Sequence, residues 1–452
     1  MSDFLRRQKK MNMQKYEENK RRTEDLFRFI ERAVSPYDCV ELVSAALEQS
    51  GFTELDFSKK WELDERGKYF FRHYGSTLIA FCTGAVDEDG NAPQLRIAAA
   101  HTDFPCLRIK SHPDRSDQGY HRLNAEVYGG AVLSSWLDRP LGIAGKVAVA
   151  DSTNLKPQIR YVHPKELRLT VPGYAIHLNR EMNNGIAYDK QKDMQPLYAT
   201  VAAGSEVLRF EEELAAELGV AAKDILEYEL FAYNADEPCL VGADGMLISA
   251  PRLDNMSSVY SIIKGICQAQ PGNDLKVAAI FHHEEIGSRT KEGAASAFFQ
   301  MALEKIYLSC GYDREHFLRA IYGGMMISAD VSQGRHPAQP EKYDPTNSAI
   351  LNDGFAIKKA GGQSYATDCE AIAIVKMLCR RNGIFCQDYY NRSNLAGGST
   401  IGAIASAFLP MRIADVGIPL LSMHSARECA GVEDICGFTE FMKEFFAIDF
   451  QL

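Results

Sequence analysis

The 452 residues include 46% hydrophobic, 24% charged and 10% aromatic side chains, an ordinary globular balance that excludes a disordered or low-complexity scaffold. With 50 Lys+Arg against 60 Asp+Glu, the formal net charge is −10, which argues against nucleic acid or an anionic membrane surface as the main partner. Eleven cysteines without a C-x-x-C pair fit neither a disulfide framework nor a zinc ribbon, and are expected as reduced thiols of a cytoplasmic enzyme. The basic opening stretch, MSDFLRRQKKMNMQKYEENKRR, lacks the apolar core of a signal peptide and is expected as a solvated helix or loose tail. No run of about 18 apolar residues occurs later in the chain, so no spanning helix is expected.

Along the chain, Ser35-Pro36 opens a helix that ends near Gly51, with Val40, Val43 and Leu47 on one face. Tyr69–His73 and Thr77–Phe81 form a hairpin-like pair around Gly75, and Leu95–Ala100 is a nearly continuous apolar run suited to a strand buried on both faces. From about Cys106 the texture changes. Short β-like pieces (Leu107–Lys110, Gly145–Ala150, Ile159–Val162, Leu167–Thr170) alternate with Pro, Gly, Asn and Asp turns. One helix, Ser205–Leu218, stops at Gly219. After Pro251 an α/β rhythm returns, with strands at Lys276–Phe281, Met325–Ala329 and Pro419–Met423 and helices at Asn255–Ala269, Glu292–Tyr307 and Thr367–Arg380. The simplest organisation is an α/β domain in two segments, 1–106 and 249–452, interrupted by a mostly β insertion over 107–248.

The residues just beyond each apolar run are more informative than the runs themselves. Leu95–Ala100 ends in His101-Thr102-Asp103, Leu247–Ala250 leads to Asp254, and Val277–Phe281 ends in His282-His283-Glu284-Glu285. Met325–Ala329 ends in Asp330, and Leu420–Met423 in His424. In an open α/β sheet, ligands bind outside the carboxyl ends of the strands, so five segments are expected to deliver imidazoles and carboxylates to that edge. Such a set, without cysteine, suits hydrolytic zinc or manganese. Two ions need one bridging carboxylate, and a spare carboxylate beside them can serve as general base. The doublet Glu284-Glu285 suits that division, one side chain for metal and one for water. Asp103, on the same side of an extended chain as His101, is expected to orient that ring. Each piece alone reads more readily as a cap or a surface cluster; the fivefold coincidence is the signal.

These residues lie in the motifs AAAHTDFPCLRIK, YGGAVLSSWLDRPLGIAGKV, AIHLNR, ISAPRLDN, HHEEIGS, MISADVSQGRHP, GGSTIGAIAS and LLSMHSARE. In that order they resemble the M18 metallo-aminopeptidases, the family that includes aspartyl aminopeptidase and aminopeptidase I. The resemblance covers roughly Ser35 to the end of the chain. It implies a mixed-sheet zinc-peptidase (phosphorylase/hydrolase-like) α/β domain, an inserted dimerisation domain, dimers assembled into a tetrahedral dodecamer, and peptide substrates with a free N-terminus. Two zinc ions per subunit are implied, with Co²⁺ or Mn²⁺ as substitutes. Carried over by motif, His101, Asp254 and Asp330 hold one ion, and Asp254, Glu285 and His424 the other. Asp254 is the bridge, Glu284 the base and Asp103 the partner of His101. His177 of AIHLNR is implied to stabilise the reacting carbonyl oxygen from across a dimer interface. Lys358 is implied to meet acidic substrate side chains; without the match it reads as a solvated strand-edge charge.

Tyr365 and the Gly398-Ser399 turn are candidate substrate contacts. Three departures bear on substrate preference rather than on hydrolysis. Phe104 stands where the family often has Ser, Ala403 replaces a common Pro, and Gln363-Ser364-Tyr365 replaces a common Gln-Arg-Tyr. Acidic N-termini, neutral or hydrophobic N-termini, and deacylation of N-acyl amino acids are therefore competing activities. A non-catalytic self-assembling shell protein is disfavoured by the unbroken ligand set.

Overall fold

The computed structural model describes residues 2–85, 93–151, 155–202, 209–395 and 397–448, with the backbone alone for 2–12. The chain divides into two compact units. The first comprises Met1–Asp103, Pro238–Met423 and Glu428–Leu452, and the second Phe104–Glu237 with His424–Arg427. Where the insertion is expected over 107–248, the long segment of the second unit runs Phe104–Glu237. Beyond that point Cys239–Val241 pairs with Leu247–Ala250, which pairs in turn with Glu428–Gly431 of the first unit.

The first unit is built on a nine-stranded mixed sheet. Its order is Thr53–Glu54, Lys68–His73, Thr77–Cys82, Leu275–Phe281, Leu95–His101, Met325–Ala329, Arg412–Gly417, Phe355–Lys359 and Cys386–Tyr390. The Leu275, Leu95, Met325 and Arg412 strands are mutually parallel neighbours. Every residue of the Leu95, Leu275 and Met325 strands is buried, which explains why they read as continuous apolar runs rather than alternating ones. Burying each large apolar side chain contributes about 1.5–3 kcal/mol, so these strands anchor the unit. Two buried cations interrupt the apolar pattern. Arg96 pairs with Asp274 and donates to the Phe445 carbonyl at 2.7 Å, and Lys276 donates to the Gln270 carbonyl at 2.8 Å.

A five-stranded sheet lies in the same unit, in the order Cys239–Val241, Leu247–Ala250, Glu428–Gly431, Pro419–Leu421 and Ser332–Gln333. The helix Leu253–Gln268 leaves the Leu247 strand after Arg252, whose φ of 58° turns the chain and whose guanidinium donates to the Ile30 carbonyl at 2.9 Å. The basic N-terminal stretch is a helix, Ser2–Arg32, and it is more than a solvated tail. Asn19, Thr23, Leu26 and Ile30 are buried at helical spacing, and the Asn19 amide reaches the carbonyl of Gly245.

The second unit is a six-stranded antiparallel sheet in the order Gln158–Val162, Leu141–Val149, Ile225–Asn234, Cys106–Asp117, Tyr120–Tyr128 and Leu197–Thr200. Leu167–Thr170 is not a full strand: Leu169 and Thr170 make isolated bridges only. The described helix is Phe210–Leu218, capped by Gly219 at φ 67°; the expected start at Ser205 lies outside the described residues.

Candidate metal centre and active site

Three of the five predicted strand ends are those of adjacent parallel strands in the large sheet, so His101, the His282–Glu285 segment and Asp330 leave along one edge. The other two come from the five-stranded sheet, which corrects the expectation of a single sheet edge. Asp254 sits in the first turn of the helix after the Leu247 strand, and His424 comes after the Pro419–Leu421 strand. Alternation cannot assign strands to sheets, and short strands of both sheets look alike in sequence.

His101, Asp254 and Asp330 offer ligand atoms that all lie within 4.8 Å of one another, as do His101, Glu284 and Glu285. The His101 ring is oriented by its own neighbourhood. Its Nδ1 faces the Asp103 carbonyl oxygen at 3.0 Å. With Nδ1 donating to that oxygen, Nε2 faces Asp254 at 3.4 Å, Asp330 at 3.5 Å and Glu284 at 3.9 Å, where it would turn a lone pair to a bound cation. The Asp103 carboxylate stands farther off, at 3.6 Å from Nδ1. Its two oxygens accept the backbone N–H groups of Glu284 and Glu285, each at 3.1 Å. Asp103 therefore orients the ring chiefly through its main chain, and its side chain fixes the turn that carries both glutamates. That turn is bounded by His283 at φ 63° and Gly287 at φ 96°.

Electrostatics reflect this crowding. Burial would lower His101, but the carboxylates of Asp103, Asp254 and Asp330 outweigh it and hold the imidazole well above its ordinary value. Burial would likewise raise Asp103, yet His101 and His282 hold it well below the usual carboxylate range. For Glu284 burial dominates, opposed by His101 and reinforced by Asp330, Asp103 and Asp254, and the carboxyl is pushed up to about 8. One or two divalent cations would offset such a concentration of acceptors, and an imidazole-carboxylate set without thiols fits zinc.

The remaining candidates are distributed differently. Lys358 is buried in the Phe355 strand, which has neighbours on both sides, so it is not a solvated edge charge. Its ammonium donates to the Val331 carbonyl at 3.1 Å, lies 3.6 Å from Asp330 Oδ2 and sits 5.2 Å from the centre of the Tyr365 ring. Burial would lower it, but Asp330 and Asp415 outweigh burial and keep it above the ordinary lysine value. Tyr365 is buried, whereas Gly398 and Ser399 are exposed. His177 is exposed on a turn of the second unit. His424 has φ 64°, is grouped with the second unit, and has its Nδ1 3.3 Å from the Gly130 carbonyl. Phe104 is buried in the second unit, and Ala403 lies in the short helix Ile401–Ala405.

Two supporting residues carry no signal in the sequence. Buried Glu428 accepts the Asp254 backbone N–H at 3.0 Å, and buried Asn255 donates to the Ala329 carbonyl at 2.9 Å, next to Asp330. Both act through the backbone, which leaves no periodic pattern to read.

Comparison with known proteins decides the family. Residues 29–446 match the family model described as aminopeptidase I zinc metalloprotease (M18). The chain belongs to the M18 family. The "Probable M18 family aminopeptidase 2" of Clostridium acetobutylicum is 39% identical, covering 93% of this chain and 97% of that one. The Ape4 chain solved by cryo-EM in complex with Nbr1 superposes with a TM-score of 0.88 at 28% identity, covering 95% of this chain and 86% of that one. The mApe1 dodecamer of S. cerevisiae shares the fold, with a TM-score of 0.81 at 22% identity over 94% and 96% of the two chains. This M18 protein is thus a metallo-aminopeptidase of a zinc-dependent family, a hydrolase acting on peptide bonds. Among the described residues, no helix is long and apolar enough to cross a membrane.

Proposed function

We propose that this M18 protein is a di-zinc aminopeptidase with His101, Asp254 and Asp330 at one ion, Asp254, Glu285 and His424 at the other, and Asp254 as the bridge. The observation that carries this reading is the convergence of His101, Asp254 and Asp330 within 4.8 Å, with Glu284 3.9 Å from the same imidazole nitrogen. Zinc bound there supplies Lewis acidity toward the scissile carbonyl and the attacking water. Glu284 takes the proton of that water and returns it to the leaving amine. Asp103 keeps Glu284 and Glu285 apart in direction through their two N–H groups. Gly398, Ser399 and Tyr365 line the substrate's approach. His177, supplied by the neighbouring subunit of a dimer, donates to the developing oxyanion. The dimers build a tetrahedral dodecamer, in line with the yeast mApe1 assembly. Eleven cysteines with no C-x-x-C pair suit a reducing, cytoplasmic setting.

The resemblance favours acidic N-termini through Lys358. The burial of Lys358 and its engagement by Asp330 and Val331 favour the second reading, neutral or hydrophobic N-termini. The deciding experiment compares the p-nitroanilides of Asp, Glu, Leu and Met with N-acetyl amino acids, using metal-loaded protein. Release of nitroaniline with no action on the N-acetyl compounds is expected, and the preferred residue selects between the two readings. Deacylation alone overturns both.

A further inference from the structure

Asp415 belongs to none of the ligand motifs. It lies fully buried in the Arg412–Gly417 strand, in register with Ser328 of the Met325 strand, two residues before Asp330. A buried carboxylate is costly unless its oxygens are well satisfied, so its partners indicate what it is for. One oxygen accepts the Thr400 hydroxyl at 2.7 Å, and the other accepts the Ala366 backbone N–H at 2.6 Å. The Asp415 main-chain N–H donates to the Thr367 hydroxyl at 3.0 Å. Ser328 completes the arrangement by accepting the Gly402 N–H at 2.9 Å. Gly402 has no room for a side chain, since a Cβ there would lie 2.7 and 2.8 Å from the two Asp415 oxygens. The Lys358 ammonium is attracted both to Asp415 and to the candidate ligand Asp330.

Two loops far apart in sequence are thereby fastened to one side chain. The first carries Tyr365 after the Phe355 strand, and the second carries Gly398-Ser399 before the helix Ile401–Ala405. Both hold candidate substrate contacts, and neither has regular structure to set its position. We propose that Asp415 is a positioning residue for substrate binding, which clamps the 365–367 and 397–402 segments together beside the metal ligands. The proposal rests on the di-zinc site assignment. Asp415 itself touches neither metal nor substrate; it sets where the two loops stand, so it acts on KM more than on the bond-breaking step.

The test uses the metal-loaded full chain and the best of the four p-nitroanilides. Thr400→Val removes the hydroxyl at nearly constant volume and is expected to raise KM roughly tenfold or more, with kcat within about threefold and metal content equal to the parent's. Thr400→Ser, which restores a hydroxyl, is expected to bring KM back to within about twofold. An unchanged KM in Thr400→Val, or a Ser variant as impaired as the Val variant, overturns the proposal, as does metal loss in step with the rise in KM. A measurement on the parent protein covers the case in which Thr400→Val does not fold. Adding the free amino acid released from that substrate should slow amide hydrogen exchange at Ala366 and across 397–402 together, and protection of one segment without the other overturns the clamp. If the parent hydrolyses none of the four, it is the site assignment that fails instead.

Discussion

The two compact units bury their sheets in different ways. In the first, the Leu95, Leu275 and Met325 strands are buried from end to end, and the candidate ligands come at or just beyond their carboxyl ends. In the second, strands such as Tyr120–Tyr128 alternate buried and more open positions, and the edge strand Gln158–Val162 is exposed at four of its five residues. Ile159, Tyr161, Ile176, Leu178 and Leu226 of that unit are exposed large apolar groups. A sheet covered on both faces can hold ligands rigidly at its carboxyl edge, whereas a sheet with an open face and edge invites a partner. On the reading proposed above, the first region serves chemistry and the second association; three measurements probe that division, and a fourth probes a carboxylate that takes part in neither.

Metal removal should have the largest effect. Chelation is expected to abolish peptide hydrolysis, and Zn²⁺, Co²⁺ or Mn²⁺ to restore it, because the water needs Lewis-acid activation near neutrality. Full turnover by thoroughly metal-free protein would break the chemical half of the comparison. Next in size is the general base. Glu284→Gln should lower kcat by roughly two or more orders of magnitude while keeping its metal, whereas Asp254→Asn should lower metal occupancy. Equal metal loss in both, measured by elemental analysis, would show that the roles of ligand and base are wrongly divided.

The associative half is tested by complementation. His177→Ala alone should cost roughly 2–4 kcal/mol of transition-state stabilisation, the usual worth of one oxyanion donor. If His177 serves a neighbouring subunit, then dissociating and reassembling His177→Ala with Glu284→Gln chains should restore activity, since a mixed dimer contains one intact site. Inactive mixtures in which tag pull-down verifies mixed dimers would return His177 to its own chain or to packing.

The smallest effect concerns a half-buried carboxylate outside the candidate metal centre. Burial pushes Asp38 up to about 6, opposed by the Ser35 hydroxyl and by Arg252. A carboxyl with a raised folded pKa binds its proton more tightly in the native state. Its stabilisation is therefore present below the unfolded value of 3.8 and is lost as the pH rises through about 6. Asp38→Asn should accordingly gain stability relative to the parent by on the order of 1–3 kcal/mol between pH 4 and 7, in denaturant unfolding with metal content held constant. A parallel pH dependence in both proteins would count against a desolvated charge at this position.

The candidate site is largely legible in the sequence because strand ends advertise themselves. A run of small and apolar residues that stops at His101, at Glu284-Glu285 or at Asp330 marks both a strand and the place where it meets solvent or ligand. Lys358 cannot be read that way. In FAIKK it resembles an edge charge, and only pairing of the Phe355 strand on both sides shows it to be buried. Long strands of the second unit are underestimated for a related reason. Cys106–Asp117 carries a register shift between Ile109 and Asp114, so its charged second half loses the alternation that signals a strand.

The amino-acid sequence by itself determined the family and the order of the candidate ligands along the chain, because metal ligation and strand burial both constrain residue identity position by position. Tertiary structure alone decided that Asp254 approaches from a second sheet, and that Asp103 grips the turn of Glu284 and Glu285 through their N–H groups. It also decided that Asp415 ties together two loops separated by roughly thirty residues. Those are contacts between side chains and distant backbone, and their energy depends on where the main chain passes rather than on which residues it carries.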